Sequence, residues 1–119
     1  MDIIRGQKFK EINFKTTSAT KTTVYAIETV NNSVILLRVY VQAVKADGSD
    51  AFGLVVDYMY HNNGGTLTEI AHTTSIAEVG GETWDFDVEI DGTTLDFNFT
   101  GLSSAVSGKI TVMSLIAGA

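Results

Sequence analysis

Between Thr83 and Phe99 the chain alternates as strictly as a two-faced strand can. Trp84, Phe86, Val88 and Ile90 fall on one face, with Asp85, Asp87 and Glu89 on the other. Asp91-Gly92 follows, and then Leu95, Phe97 and Phe99 alternate with Asp96 and Asn98. A period of two on both sides of a turn dipeptide predicts a β-hairpin with one buried face. It commits the domain to β-structure and turns three carboxylates toward water.

The rest of the chain agrees with that commitment. Residues 1–8 show little periodicity and read as an arm, and Phe9, Ile12 and Phe14 mark a weak first strand. Residues 1–20 are therefore taken as an N-terminal arm with that strand, and residues 21–119 as the sandwich domain. Thr22 to Val30 is rich in β-branched residues and ends at Asn31-Asn32-Ser33. Val34, Leu37, Val41 and Val44 have helical spacing, yet Val, Ile and Tyr dominate Val34 to Ala46 and Asp47-Gly48 follows. That segment is read as a strand, buried on both faces in its first half. Ala51 to Tyr60 pairs with it, and Asn62-Asn63-Gly64-Gly65 makes the next turn. Thr66 to Ala71 reads as a short strand, 72–81 as a polar loop, Gly101 to Gly108 as a small-residue loop, and Lys109 to Ile116 as the last strand. About eight strands with no convincing helix predict an all-β fold, an antiparallel two-sheet β-sandwich of jelly-roll-like type. A single open sheet would leave the apolar strands between Val34 and Val56 wet on one side.

Composition removes several function classes. The chain has 119 residues, enough for one domain, with 45% hydrophobic and 18% charged residues. It contains no cysteine, which excludes disulfides and thiolate-ligated zinc, and no proline. No apolar run is long enough for a membrane-spanning helix, and the N-terminus lacks the apolar core of a secretion signal.

Charge is unevenly distributed. Seven of the eight basic residues lie in the first 45 positions, whereas Ala46 to Gly108 holds eleven acids and no Lys or Arg. Either strand order interleaves the two halves in space, or the protomer is dipolar and its basic end seeks an acidic surface. Nucleic acid is disfavoured as a partner, because most of the domain would repel phosphates.

The residues show no catalytic constellation, and the chain is read as a non-enzyme without a cofactor. His61 and His72 lie beside turns and lack a metal-ligand spacing. Ser103, Ser104 and Ser107 have no basic neighbour in sequence. The Asp85, Asp87, Glu89 row has same-face carboxylates about 7 Å apart, a spacing open to calcium or to glycosidase chemistry. A solvated strand face that discourages edge pairing is the simpler reading. Trp84 shares its face with Phe86 and Val88 and is assigned to the core, and the scattered Tyr25, Tyr40, Tyr58 and Tyr60 define no glycan platform.

From about Val39 onward the order of features resembles a small β-sandwich domain of tailed-bacteriophage virions. That domain occurs in capsid decoration (cement) proteins and at the C-termini of tail-fibre proteins. The resemblance is carried by Val39–Val44, Asp47-Gly48, Leu54–Tyr60, Gly64-Gly65, Gly81-x-x-Trp84, Asp91-Gly92, Leu95–Phe99, Thr100-Gly101 and Lys109–Ile116. The last strand departs from the pattern, with Val112 or Met113 where a tryptophan is usual.

The resemblance implies a virion structural protein assembled in the host cytoplasm. The short stretch before the first good strand favours a capsid decoration protein over a tail fibre. In that reading the chain binds the major capsid protein as a homotrimer and stabilises the expanded shell by multivalent attachment, with no nucleic-acid or membrane partner. Arg5, Lys8 and Lys10 would supply charge complementarity to the capsid and Phe9 an apolar anchor. The alternative is a tail-fibre or receptor-binding tip that recognises a host surface glycan.

Overall fold

The computed structural model describes residues 2–3, 7–79 and 84–118. Its strands are β1 (Asp2–Ile3), β2 (Gln7–Thr16), β3 (Thr22–Glu28), β4 (Ser33–Lys45), β5 (Ala51–Asn63), β6 (Thr66–Val79), β7 (Asp85–Asp91), β8 (Thr94–Thr100) and β9 (Val106–Gly118). One sheet has the order β2-β9-β4-β5-β6 and the other β1-β3-β8-β7. All neighbours are antiparallel except the two-residue β1, which runs parallel to β3. The outermost pair β2·β9 encloses the pair β3·β8 in chain order, the nesting that gives the sandwich its jelly-roll character, while β4–β5–β6 is a meander.

The predicted β7–β8 hairpin forms, with Asp91 opposite Thr94 and Gly92 at the first turn position. Gly92 has φ of +64°, a left-handed conformation that a two-residue hairpin turn needs and that a side chain disfavours. Its inner residues Phe86, Leu95, Phe97 and Phe99 are buried, and they face Ile35, Leu37, Val39 and Val41 of β4 and Ile110 and Val112 of β9 across the core. Phe97 and Leu95 are fully buried, as period two demands.

The two sheets are also tied at one end by polar groups. Asn62 is fully buried and donates through Nδ2 to Thr29 Oγ1 at 2.8 Å. Thr29 Oγ1 in turn donates to the carbonyl of Thr93 in the β7–β8 turn at 2.6 Å. Asn62 Oδ1 accepts from Gly65 N–H at 2.9 Å, so one amide orders its own turn and links it to the opposite sheet.

Four sequence expectations need correction. Residues 72–79 are not loop but the second half of β6, paired with β5 to Val79. The last strand begins at Val106, which shortens the Gly101 to Gly108 loop. The weak first strand is a ten-residue partner of β9 that begins at Gln7, so Gln7 and Lys8 belong to it rather than to the arm. Finally, β4 is not buried on both faces, because Ile35, Leu37, Val39 and Val41 point to the core while Val34, Arg38, Tyr40 and Val44 are exposed. The second sheet covers only the inner side of the five-stranded sheet.

Candidate functional site

The sandwich gapes along the side where β6 and β7 are both edge strands. A cleft of about 380 Å³ opens there, floored by Phe52, Val56 and Tyr58 of β5 and flanked by Trp84 and Phe86. Its β6 wall is polar, formed by Glu69, His72 and Thr74.

Two irregularities of β6 create that wall. Val55 pairs with Ile76 but Val56 with Thr74, and Met59 pairs with Ala71 but Tyr60 with Glu69. One residue, Ser75 and then Ile70, is therefore extra at each bulge. Bulges shift which side chains alternate inward. The result brings Glu69, His72, Thr74 and Ala77 onto the register positions of the inner-facing Tyr60, Tyr58, Val56 and Leu54. Inward-pointing polar residues also deter another strand from adding to this edge.

Tyr58 is the pivot of the cleft. Its ring lies 6.0 Å from the His72 ring and stacks on Tyr60 at 6.0 Å and 19°. The Val88 N–H of edge strand β7 donates to its phenol, bridging the two sheets. Burial, then the nearby Asp87 and Glu69 charges, push the Tyr58 phenol up to about 12. The hydroxyl of Tyr60, one residue-pair deeper, is buried without a hydrogen-bond partner among the described residues, and burial also raises its pKa. His72 Nδ1 lies 3.3 Å from Glu69 Oε2, and both side chains remain open to solvent. An aromatic ring face, a carboxylate, a threonine hydroxyl and an imidazole at one cleft suit a polyhydroxylated ligand.

The acid row behaves as a braced outer face. Lys21 Nζ approaches Asp87 Oδ2 at 2.9 Å and Glu89 Oε1 at 2.6 Å. Asn98 Nδ2 donates to both carboxylates, at 3.1 and 3.0 Å, and its own oxygen accepts from Thr23 Oγ1 at 2.7 Å. The Lys21 pKa is held well above its usual range by its own hydrogen bonds to Glu89 and then Asp87. Among the described residues no group of three His, Cys, Asp or Glu is arranged to hold a metal.

Charge is interleaved in space to a large extent. Lys21 and Arg38 from the basic part of the chain pair with Asp87, Glu89 and Asp57 from the acidic part.

Of the residues expected to grip a partner, Arg5 lies outside the described residues. Lys8, Phe9 and Lys10 sit side by side in β2 opposite Ser114, Met113 and Val112. Alternation puts Phe9 on the outer face, 63% exposed, and the two lysines on the other side of the strand. None of them reaches the cleft. The cleft residues Glu69 and Thr74 carried no signal in the sequence, and His72 read as a loop histidine because the bulges break its alternation.

Searches for a matching family model and for a matching curated protein found none. Solved structures of phage tailspikes do align with this chain. The tailspike protein gp49 of Acinetobacter baumannii bacteriophage Fri1, a capsular polysaccharide depolymerase, aligns over 95% of this chain with 14% identity and a TM-score of 0.54. The two share a β-sandwich fold over this stretch. Two further tailspikes align more loosely, at TM-scores of 0.46 for A. baumannii phage AM24 and 0.45 for Acinetobacter phage vB_ApiP_P1, each with 13% identity. This chain covers 95% and 93% of itself in those two alignments. It spans 19% of the Fri1 chain, 27% of the AM24 chain and 22% of the P1 chain.

Proposed function

We propose that this chain is a bacteriophage tail domain that binds a host surface glycan through the β6–β7 cleft. The observation that carries the reading is the polar wall of Glu69, His72 and Thr74 set beside the Tyr58 ring in a cleft of about 380 Å³. A sandwich that needed only to be stable would fill that side with apolar residues. The space matches one or two sugar rings, with Tyr58 offering an apolar face and Glu69 and His72 offering hydrogen-bond groups to hydroxyls. The likeness to the Fri1 tailspike in fold supports a tail position over capsid decoration, and the described part of the proposed capsid-gripping segment is a strand of the sheet.

Titration of the isolated chain with capsular oligosaccharides, followed by amide NMR shifts, tests this. Shifts should cluster on β6 and β7, and Glu69→Gln with His72→Ala should weaken binding by tenfold or more. Because both side chains are solvent-open, the variants should keep their fold. Shifts scattered elsewhere, or none across a broad glycan panel, would sink the proposal. Copy number in purified virions separates the two virion readings: a dozen or so copies fit a tail position, and hundreds fit decoration of the shell.

A further inference from the structure

Charge in the β6–β7 cleft is one-sided, and chain order explains why. Strands β5 to β8 all lie between Ala46 and Gly108, the stretch that holds eleven acids and no Lys or Arg. Every residue lining the cleft comes from that stretch, so no lysine or arginine is among them. Three are carboxylates, Glu69 on β6 and Asp85 and Asp87 on β7.

These acids are not equivalent. Asp87 is already matched by Lys21, whose Nζ lies 2.9 Å from its Oδ2. Glu69 has only His72 at 3.3 Å, and that imidazole cancels its charge only when protonated. Asp85 is exposed and forms no ion pair among the described residues. The two edge strands that bound the cleft therefore each present a carboxylate without a permanent cation. Behind the Tyr58 ring, the Tyr60 hydroxyl is buried with no partner among the described residues, and the charges of both Glu69 and Asp87 reach it.

We infer that the cleft selects a sugar carrying a free amine and turns away sugars carrying a carboxylate or phosphate. The inference rests on the glycan reading above and adds a charge class to it. Carboxylates beside the low-dielectric floor of Phe52 and Val56 focus a negative potential into the opening. An ammonium brings three donors and no acceptor, which suits two uncompensated carboxylates and an orphan phenol oxygen. A sugar hydroxyl answers the same acceptors with weaker hydrogen bonds. An anionic sugar would enter against both charges and meet no lysine or arginine.

NMR titration of the full chain with methyl glycosides of glucose, galactose and mannose tests this. Each is used in three forms: the parent sugar, the sugar with an amine in place of its primary hydroxyl, and the uronic acid. The amine form should bind about tenfold more tightly than its parent at low salt, and the lead should shrink as salt is raised. The uronic acid should bind most weakly. Asp85→Asn, at an exposed position that tolerates the isosteric change, should bring the amine and parent affinities together. Glu11→Gln, on β2 at the far edge of the five-stranded sheet, should leave the lead intact. Equal affinity for the three forms, tightest binding of the uronic acid, or a lead that Glu11→Gln reduces as much as Asp85→Asn would overturn this inference and leave the glycan reading standing. Binding of none of the sugars would overturn both.

Discussion

Trp84 Nε1 donates to Asp50 Oδ2 at 2.8 Å, joining the β4–β5 loop to the entrance of β7 on the other sheet. The indole itself is buried, stacked 6.2 Å from Phe52 and edge-on to Phe99 at 6.3 Å. Asp50→Ala should leave that N–H without its protein acceptor and cost about 1–3 kcal/mol. Asp50→Asn, which keeps a carbonyl acceptor, should cost clearly less. Trp84 is the only tryptophan, so its fluorescence follows urea unfolding directly. Equal stabilities for the two variants would show that the hydrogen bond contributes nothing.

Asn62→Ala removes the amide that connects the β5–β6 turn to Thr29 and so to the β7–β8 turn. Its groups are buried, and the Gly65 N–H loses its acceptor, so the expected loss is about 1–3 kcal/mol. Hydrogen exchange should accelerate in both turns rather than in the turn of residue 62 alone. Faster exchange confined to that turn would contradict the cross-sheet link.

Gly108 lies opposite Phe14 in the β2–β9 pair, and the Phe14 ring covers it. A Cβ at this position would meet Phe14 Cζ at 2.2 Å, and the same ring packs on Phe99 at 4.8 Å. Gly108→Ala should therefore cost about 1–3 kcal/mol by overpacking. In a Phe14→Ala background the added cost of Gly108→Ala should largely vanish, a coupling that a double-mutant cycle of thermal unfolding measures. Additive costs would show that the ring does not respond to the glycine.

Asp96 and Glu28 give opposite pH signatures on the same sheet face. Burial first, then the Asp91 and Glu89 charges, raise the Asp96 carboxyl above its ordinary value. Its charged form is therefore penalised by folding, and the penalty is present at neutral pH and gone once both states are protonated. Asp96→Asn should raise the midpoint slightly at pH 7, by about 0.5 kcal/mol or less, with the gain vanishing below about pH 3.9. Hydrogen bonds from Thr93 and Thr94 lower the Glu28 carboxyl, so its contribution is present above the ordinary value and lost as pH falls. Glu28→Gln should thus destabilise at pH 7, with the difference from the parent shrinking only as pH falls below about 4.3 and through the lowered folded value. Midpoints measured from pH 3 to pH 8 check both signs.

Period-two patterning was enough to recover the hairpin, the core role of Trp84 and the solvent-facing acids, because each depends on neighbours one or two residues away. It lost β6 past Ala71. The extra residues Ile70 and Ser75 interrupt the alternation there, and the strand exists because β5 supplies its hydrogen-bond partners. The cleft was illegible for the same cause. Glu69, His72 and Thr74 meet Tyr58 only after two bulges have turned them inward. Phe9 was singled out as an apolar anchor, and it is exposed, yet as part of a sheet-wide face rather than the tip of an arm.

By itself the sequence determined an all-β chain with its turns at Asp47-Gly48, Gly64-Gly65 and Asp91-Gly92, since local sterics and side-chain period act along the chain. Tertiary structure decided which faces those strands would share. It placed β3, β8 and β7 over only one side of the longer sheet, left Tyr40, Val55 and Ile76 on the other, and parted the sheets between β6 and β7. Strand pairing is non-local, and a sheet has two faces but, here, only one covering layer.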